Sequence, residues 1–335
     1  MTLEGLLGPN SMLDDADGFA VDRPEAICVN RDRHLLLSSG SDVFRMRKWG
    51  EAPELWARFE ASVSALAASE GGRIAVGLAG GRLAVRDGSG EAVPGWTPNV
   101  APRAVVDCLF LSEDELAVVD HGYGAGEPIL SLAPWDEVAR GQVIGVGRSG
   151  ETRIIATGLH CPMGVAPGPN GALLLSELER ARVVDASGAV AQTGYPAYLG
   201  RIRKTESGYA LACLSRRDPL IEFLKTERAF VARMKASIDP RHWISPRATP
   251  EFSHDFPIEL GATRLFGEIK PWAPSFSYGL VIATDAALSP IGSAHSRANG
   301  ARHAITDVAS WDGRLIAVSR ASGEILRLDS VECLA

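Results

Sequence analysis

Several side chains that could move protons or bind a polar ligand stand where predicted strands begin. Glu25, Asp107, Tyr198, Arg201 and His303 each fall at or near the start of a strand that opens a repeat unit. A carboxylate in apolar surroundings can act as a general base, because burial raises its pKa. A histidine can exchange a proton near neutral pH. We therefore take Glu25 and His303 as candidate catalytic residues that would assist an attacking water.

Other side chains are candidates for contact with a substrate. The loop after Asp120 carries His121 and Tyr123, and residues 295–303, HSRANGARH, bring two histidines and two arginines close to the last repeat. Arginine binds carboxylate or phosphate through paired N–H groups, which makes this phrase a candidate anion site. The predicted substrate-binding set is Asp107, His121, Met163, Tyr198, Arg201, Arg297, Arg302 and Thr306.

Each candidate also has a structural interpretation, and both remain open at this point. Glu25 could simply accept hydrogen bonds from neighbouring backbone, and His303 could be a buried histidine that joins the first and last units. Met163 could be packing, and residues 295–303 could be a solvated loop. The sequence shows no Ser, His and Asp arrangement typical of a triad. It also shows no glycine-rich phrase between a strand and a helix, so nucleotide binding is not indicated.

The elements that position these residues are predicted to be short antiparallel strands. Residues 157–188 show the unit most clearly, with strands at 163–166, 172–176 and 182–184. The cluster at 167–171, which contains two prolines and two glycines, is a turn that no helix would tolerate. The middle strand is a near-continuous apolar run, which is typical of a strand buried on both faces.

Five further copies of this unit follow the same pattern along the chain. They are predicted at residues 25–47, 63–86, 106–146, 198–285 and 303–328, and the copies at 106–146 and 198–285 are interrupted by insertions. Similar meanders at unequal spacing favour a closed ring, because insertions on one rim do not disturb radial packing. The prediction is an all-β, six-bladed β-propeller, with an open sandwich as the alternative. A strand within residues 1–20 is expected to close the ring against the last blade.

One domain, residues 1–335, is predicted to contain a lid insertion at residues 215–277 in the fifth blade. Residues 219–238 carry apolar side chains at helical spacing, after Asp218 as a cap and Pro219 at the first helical position. The aromatic residues that follow, among them Trp243, Phe252 and Trp272, are too numerous for an unstructured linker. We expect a folded lid that carries ligand contacts.

Composition limits the expected partners and location. The formal net charge is -7 with no block of like charges, so neither nucleic acid nor an anionic membrane surface is an expected partner. No export signal or membrane span is recognisable, and the five cysteines have no zinc spacing. The sequence therefore predicts a cytoplasmic protein with reduced core cysteines and a small molecule as its partner.

Several phrases resemble the strictosidine synthase-like family, which belongs to a wider group of calcium-dependent six-bladed propellers with gluconolactonases and paraoxonase-type lactonases. The phrases are PEAI at 24–27, GL at 158–159, CPMGV at 161–165, SELERARV at 176–183, GYP at 194–196, ITDV at 305–308 and WDGRL at 311–315. Together they cover roughly residues 20 to 330. The resemblance implies the propeller fold but is only weakly specific for chemistry.

The resemblance also implies which positions would hold calcium, and most of them are changed. The first-blade Glu of the lactonases matches Glu25, but their other ligands fall on Val106, Met163 and Ala197. Because three of the four oxygen ligands are replaced by apolar residues, no catalytic calcium is expected, and the cup at the axis should be apolar. No other cofactor is expected. The resembled family also includes enzymes that condense an amine with an aldehyde and use a sixth-blade Glu as acid and base. That position falls on Thr306, whose hydroxyl is a poor base.

Three functions follow from these residues. The first is a small-molecule hydrolase that opens a lactone, ester or amide without calcium, using Glu25 or His303. The second is a propeller that binds a small molecule without catalysis. The third is an amine–aldehyde condensing enzyme of the strictosidine synthase type, which Thr306 disfavours.

Overall fold

Six antiparallel sheets form the blades of a closed ring in the computed structural model, which describes residues 2–250, 264–265, 268–269 and 277–329. The innermost strand of each blade packs against that of the next, and the last packs against the first. The predicted six-bladed β-propeller is therefore confirmed.

The first three blades take up residues 27–159. Blade one contains β2 (Ile27–Val29), β3 (Leu35–Ser39), β4 (Asp42–Met46) and β5 (Glu54–Arg58). Blade two contains β6 (Val63–Ala68), β7 (Ile74–Leu78) and β8 (Arg82–Arg86). Blade three contains β9 (Asp107–Ser112), β10 (Glu115–Asp120), β11 (Gly141–Gly147) and β12 (Thr152–Leu159).

The other three blades complete the ring. Blade four contains β13 (Pro162–Pro167), β14 (Leu173–Glu177), β15 (Arg182–Asp185) and β16 (Val190–Thr193). Blade five contains β17 (Ala197–Lys204), β18 (Gly208–Arg216), β21 (Gly279–Asp285) and β22 (Pro290–Ser296). Blade six contains β23 (Ile305–Trp311), β24 (Arg314–Ser319) and β25 (Glu324–Leu328), with β1 (Asp17–Ala20) as its outer strand.

The N-terminal strand closes the ring, as the sequence predicts. β1 pairs antiparallel with β25, in the register Asp17 opposite Arg327. Arg302 holds the segment before it, donating from Nη1 to the carbonyls of Leu13, Asp14 and Ala16. This segment includes α1 (Met12–Asp15). Closure between the two ends of the chain leaves blade six without a free outer edge on β25.

The second strand of each blade is largely buried, because it has a neighbouring strand on both sides and a neighbouring blade on both faces. Every residue of β7 and all but the first of β14 are buried. The turns before two of these strands need left-handed backbone, at Asn170–Gly171 and Asp312–Gly313. Asn, Asp and Gly tolerate positive φ better than other residues, so these turns specify the hairpins. Cys28, Cys108, Cys161 and Cys213 are buried without disulfides.

Two insertions leave the ring from blades three and five. The first contains α2 (Ile129–Leu132), and the second contains α3 (Pro219–Thr226) and α4 (Arg228–Ser237). Asp218 caps α3 through Leu220 N and Pro219 follows it, as predicted. The single helix expected over 219–238 is wrong, because Glu227 has non-helical dihedral angles and separates two helices. The break lets Ile221 and Met234 pack in one cluster with Trp135 of the blade-three insertion.

The rest of the predicted lid is described only in part. The second insertion also contains a two-stranded pair, β19 (Arg264–Leu265) and β20 (Glu268–Ile269). Phe252 and Trp272, predicted as lid aromatics, lie outside the described residues, whereas Trp243 packs with the helices. In the described part of the chain no helix has the length and apolar character needed to cross a membrane.

Candidate functional site

Most of the candidate residues lie on the upper rim, by which we mean the end of the ring where the six inner strands begin. These inner strands are β2, β6, β9, β13, β17 and β23. Strands β10 and β18 run in the opposite direction and end at this rim, so both insertions emerge there. The upper rim therefore combines the candidate side chains with the segments that can cover them.

Glu25 lies on the open part of the upper rim. Its carboxylate accepts two hydrogen bonds from Arg320, one from Nε to Oε2 at 2.8 Å and one from Nη2 to Oε1 at 2.7 Å. The side chains are 25% and 40% exposed, so this is a bidentate pair in contact with solvent. A cavity of about 380 Å³ borders it, lined also by Arg23, Ser62, Ser64 and Ala79. We call this region the Glu25 mouth. A molecule that enters it meets a carboxylate and a guanidinium together.

Arg201 lies at the axis of the ring below this mouth, with only 4% of its side chain exposed. Its five N–H groups all donate to main-chain carbonyls. Nη1 donates to Glu25 O and Thr306 O at 2.8 Å each, Nε and Nη2 both donate to Val106 O, and Nη2 also donates to Ser64 O. These carbonyls belong to blades one, six, three and two. The guanidinium group therefore joins blade five to four others and keeps no donor for a substrate.

Two buried aspartates and a second arginine lie next to Arg201. Arg203 binds Asp107 with both Nη atoms, at 2.7 and 2.8 Å, and its Nε lies 3.1 Å from Asp307. Asp107 and Asp307 are wholly buried, and each also accepts from the backbone of another blade, at Val165 N and Ile27 N. Burial raises the pKa of Asp307, while Arg203 and Arg201 oppose that rise. Asp107, predicted to bind substrate, is thus occupied inside the protein.

The residues at the axis do not fit a calcium ion. The carbonyl oxygens that could serve as hard ligands are already bound to the Arg201 guanidinium. Within the described residues, no three His, Cys, Asp or Glu side chains are arranged to hold a metal ion.

The cup at the axis is also not apolar, which corrects the expectation from the sequence. Val106 reaches the axis with its carbonyl oxygen, but Met163 packs in a cluster with Cys161 and Tyr198. The Ala197 side chain lies in a different cluster, between blades four and five. The axis, which the sequence predicted to be apolar, is occupied by the side chain of Arg201 from blade five.

The blade-four and blade-five side of the upper rim is covered. Met163 is 8% exposed and Tyr198 is fully buried, and Ile129 and Leu132 of the blade-three insertion pack on their cluster. The Tyr198 hydroxyl lies 3.4 Å from Glu222 on α3, and burial raises the pKa of this tyrosine. We call this region the covered side. Its predicted substrate contacts, Met163 and Tyr198, are buried under the insertions.

His121 also belongs to the covered side. Its Nδ1 accepts from Tyr123 N at 3.1 Å, and burial lowers the pKa of the imidazole. The Tyr123 hydroxyl donates to Asp136 at 3.0 Å. These bonds fix the start of the blade-three insertion.

His303, the second predicted catalytic residue, is wholly buried. Its Nε2 can only donate to the carbonyl of Arg297, at 2.8 Å, which leaves Nδ1 to accept from Ser277 Oγ at 3.0 Å. Burial lowers the pKa of this imidazole. The histidine therefore joins the loop before β23 to the end of the blade-five insertion, while the partly exposed Arg297 contributes its carbonyl.

The remaining two candidates have internal partners as well. The Thr306 hydroxyl donates to the carbonyl of Glu25 at 2.8 Å and so links blades six and one. Arg302 binds Glu324 with Nε and Nη2, besides its contacts with the N-terminal segment. Of the predicted residues, Glu25 presents its charged group to an open cavity.

Three residues of this region were not predicted from the sequence. Arg203 carried a signal, because a second arginine two positions after Arg201 is unusual in a buried strand. Asp307 lies within the phrase ITDV but was not taken as a site residue. Arg320 follows β24 and reaches Glu25 across the junction of blades six and one, which local sequence does not reveal.

No family model and no curated protein matches the chain. The solved structures that are similar over nearly the whole length include the following two. One is a protein provisionally described as a gluconolactonase, with a TM-score of 0.54, 13% identity, and coverage of 94% of this chain and 92% of that one. The other is a gluconolactonase from Xanthomonas campestris, with a TM-score of 0.54, 12% identity, and coverage of 95% and 91%. At such identities the likeness shows the shared propeller fold. The more specific resemblance to strictosidine synthase-like proteins stays a prediction.

Proposed function

We propose that this propeller hydrolyses a small lactone, ester or amide at the Glu25 mouth, without a divalent metal ion. The observation that carries the proposal is the partly exposed Glu25–Arg320 pair beside a cavity of about 380 Å³. The likeness to gluconolactonase structures supports a reaction of this general kind. The proposal that hydrolysis takes place at the Glu25 mouth without a metal ion rests on the residues of that mouth.

In the proposed reaction Glu25 acts as a general base. Its carboxylate accepts a proton from a water molecule, whose oxygen attacks the carbonyl carbon of the substrate. The bond from that carbon to the leaving oxygen or nitrogen breaks, and the proton passes from Glu25 to the leaving atom. Arg320 binds Glu25 with Nε and Nη2, and its Nη1 carries two further N–H groups for the negative charge that develops on the carbonyl oxygen.

A panel of small lactones, esters and amides tests this proposal, with turnover measured in the presence and absence of EDTA. The expected result is turnover that EDTA leaves unchanged and that Glu25→Gln lowers by about 10²-fold or more. Glu54→Gln is a matched control, because Glu54 binds Arg45 and Arg47 on the outer strands of blade one. Turnover that Glu25→Gln leaves intact, or that requires added calcium, contradicts the proposal.

A second candidate, binding without catalysis, is favoured by one observation. Both oxygens of Glu25 already accept from Arg320, so the carboxylate can serve to hold this arginine in place for a ligand with carbonyl or carboxylate oxygens. Thermal shifts with the same panel distinguish the two. A ligand that raises Tm without being consumed supports binding alone.

A further inference from the structure

The oxygen atoms around Arg201 form a cation site, and we propose that the protein fills this site permanently with its own guanidinium group. Removal of that group should turn the axis into a site for a divalent cation of the calcium type. This inference is independent of the proposed hydrolysis.

The first support is the convergence of main-chain oxygens. The carbonyls of Glu25, Ser64, Val106 and Thr306, from four blades, all point at one guanidinium group. Carbonyl dipoles that converge on one point repel one another unless a positive charge lies between them. Oxygen ligands of this kind also suit calcium, which accepts six to eight of them in flexible geometry.

The second support is the charge balance. Arg201 lies 3.6 Å from the carboxylate of Glu25 and 3.7 Å from those of Asp107 and Asp307. Three carboxylates thus face Arg201, Arg203 and Arg320 in one connected group. Without Arg201 this group carries an excess negative charge next to two wholly buried aspartates, which is unfavourable unless another cation enters.

The third support is local backbone geometry that serves to aim Arg201 at the axis. The ladder between β17 and β18 shifts register between Leu199 and Ile202, so Gly200 and Arg201 lie in an irregular stretch that redirects the side chain. Gly164 of blade four lies against it, and a Cβ there would come within 2.7 Å of Arg201 Cα. The two inner strands approach closely enough only because this residue is glycine.

Arg302 provides a matched control, because it also donates to main-chain carbonyls and pairs with a carboxylate but lies away from the axis of the ring. It also donates to three carbonyls, those of Leu13, Asp14 and Ala16, but they belong to one segment of chain. It pairs with one carboxylate, that of Glu324, at the outer edge of blade six. Its removal should destabilise the protein without creating a cation site.

In the experiment, each protein is refolded from urea at increasing concentrations of calcium chloride. The folded fraction and the Tm are then measured. The variants are Arg201→Ala, Arg201→Lys and Arg302→Ala, compared with the unmodified protein. We expect Arg201→Ala to be destabilised, and its folded fraction and Tm to rise with calcium, by at least about 3 °C at saturation. The unmodified protein and Arg201→Lys, which keep a cation at the axis, should not respond. Arg302→Ala should lose stability and show no response.

The decisive result is the calcium response of Arg201→Ala. If this variant fails to fold at every calcium concentration, or folds equally well without calcium, the site does not accept a divalent cation and the inference is wrong. A calcium response in the unmodified protein or in Arg302→Ala would also contradict it, since it would place the ion elsewhere. Titration calorimetry of the folded Arg201→Ala protein should give about one calcium per chain.

Discussion

The axis of the ring and the Glu25 mouth both contain arginine and carboxylate side chains, but these differ in their exposure to solvent. At the axis, Arg201, Arg203, Asp107 and Asp307 are largely or wholly withdrawn from solvent, and the guanidinium group of Arg201 is saturated with hydrogen bonds. At the mouth, Glu25 and Arg320 form one exposed pair beside a cavity. The first arrangement cannot bind a substrate without breaking the ring, whereas the second can.

This contrast separates charges that stabilise the ring from charges that would contact a substrate in the proposed function. A buried ion pair has replaced its hydration with protein contacts, so loss of one partner leaves an uncompensated charge. Loss of one partner of an exposed ion pair lowers stability little, because water hydrates the charge that remains. Mutations at the axis should therefore act on stability, and mutations at the mouth should act on activity.

The largest expected effect compares one carboxylate from each region. Asp307→Ala should lower the free energy of unfolding by about 3–5 kcal/mol, because it leaves Arg203 buried without one of its partners. Glu25→Ala should lower it by about 1 kcal/mol or less, because the Glu25–Arg320 pair is exposed. Urea denaturation measures both. Equal losses in the two variants would remove the distinction between axis and mouth.

A second prediction concerns pH and a buried group away from the mouth. His295 donates from Nε2 to Ser293 Oγ and accepts at Nδ1 from Tyr278, and burial, with Arg297 as a smaller cause, lowers its pKa to about 4. Because the unfolded chain binds the proton more tightly, this histidine contributes stability above a pH of about 6.5 that is lost as pH falls towards about 4. The loss should be about 3 kcal/mol.

The comparison variant for this prediction is His295→Gln, measured by urea denaturation across the same pH range. The stability advantage of the unmodified protein over the variant should shrink as pH falls. A difference that stays constant with pH would show that His295 does not carry the dependence.

A smaller effect tests whether the axis depends on close approach of two inner strands. Gly164→Ala places a Cβ within 2.6 Å of Ile202 N and should cost about 1–3 kcal/mol, because backbone must shift. Gly88→Ala is the control, since its Cβ would meet nothing nearer than 3.7 Å and its φ is not positive. Gly88→Ala should change Tm little. Comparable losses would show that the close contact at Gly164 is unimportant.

The smallest effect concerns the covered side. Lys225 Nζ on α3 lies 3.3 Å from Glu179 in the blade-four turn, and the two insertions bind each other through Trp135 Nε1 and Ile244 O. Lys225→Met should lower stability by less than about 1 kcal/mol but increase protease cleavage within residues 217–250. Cleavage unchanged from the unmodified protein would show that this pair does not fasten the insertion.

The fold was predictable from the sequence because each hairpin is specified locally. Turn residues such as Asn170 and Gly171, followed by an apolar run, identify the strands of a blade without knowledge of distant contacts. The break at Glu227 was not predictable, because apolar spacing continues through it. Tertiary packing of Ile221 and Met234 against the other insertion overrides the local pattern.

The sequence predicted the position of a candidate residue where that position depends on the nearby strand, but it did not predict contacts between blades. Glu25 was placed correctly on the rim, but the contacts of Arg201 are main-chain oxygens, which every sequence provides. Its partners at Glu25, Ser64, Val106 and Thr306 are brought together by closure of the ring. The apolar residues at the positions of the expected metal ligands were visible in the sequence, whereas the contacts of the Arg201 guanidinium group were not.

Electron density at the axis of crystals grown with calcium chloride would show whether Arg201 or a calcium ion lies among the main-chain carbonyls. We expect a planar guanidinium group in contact with carbonyls from four blades, and no anomalous signal for calcium there. A spherical peak surrounded by oxygen atoms, with Arg201 displaced towards solvent, would contradict it.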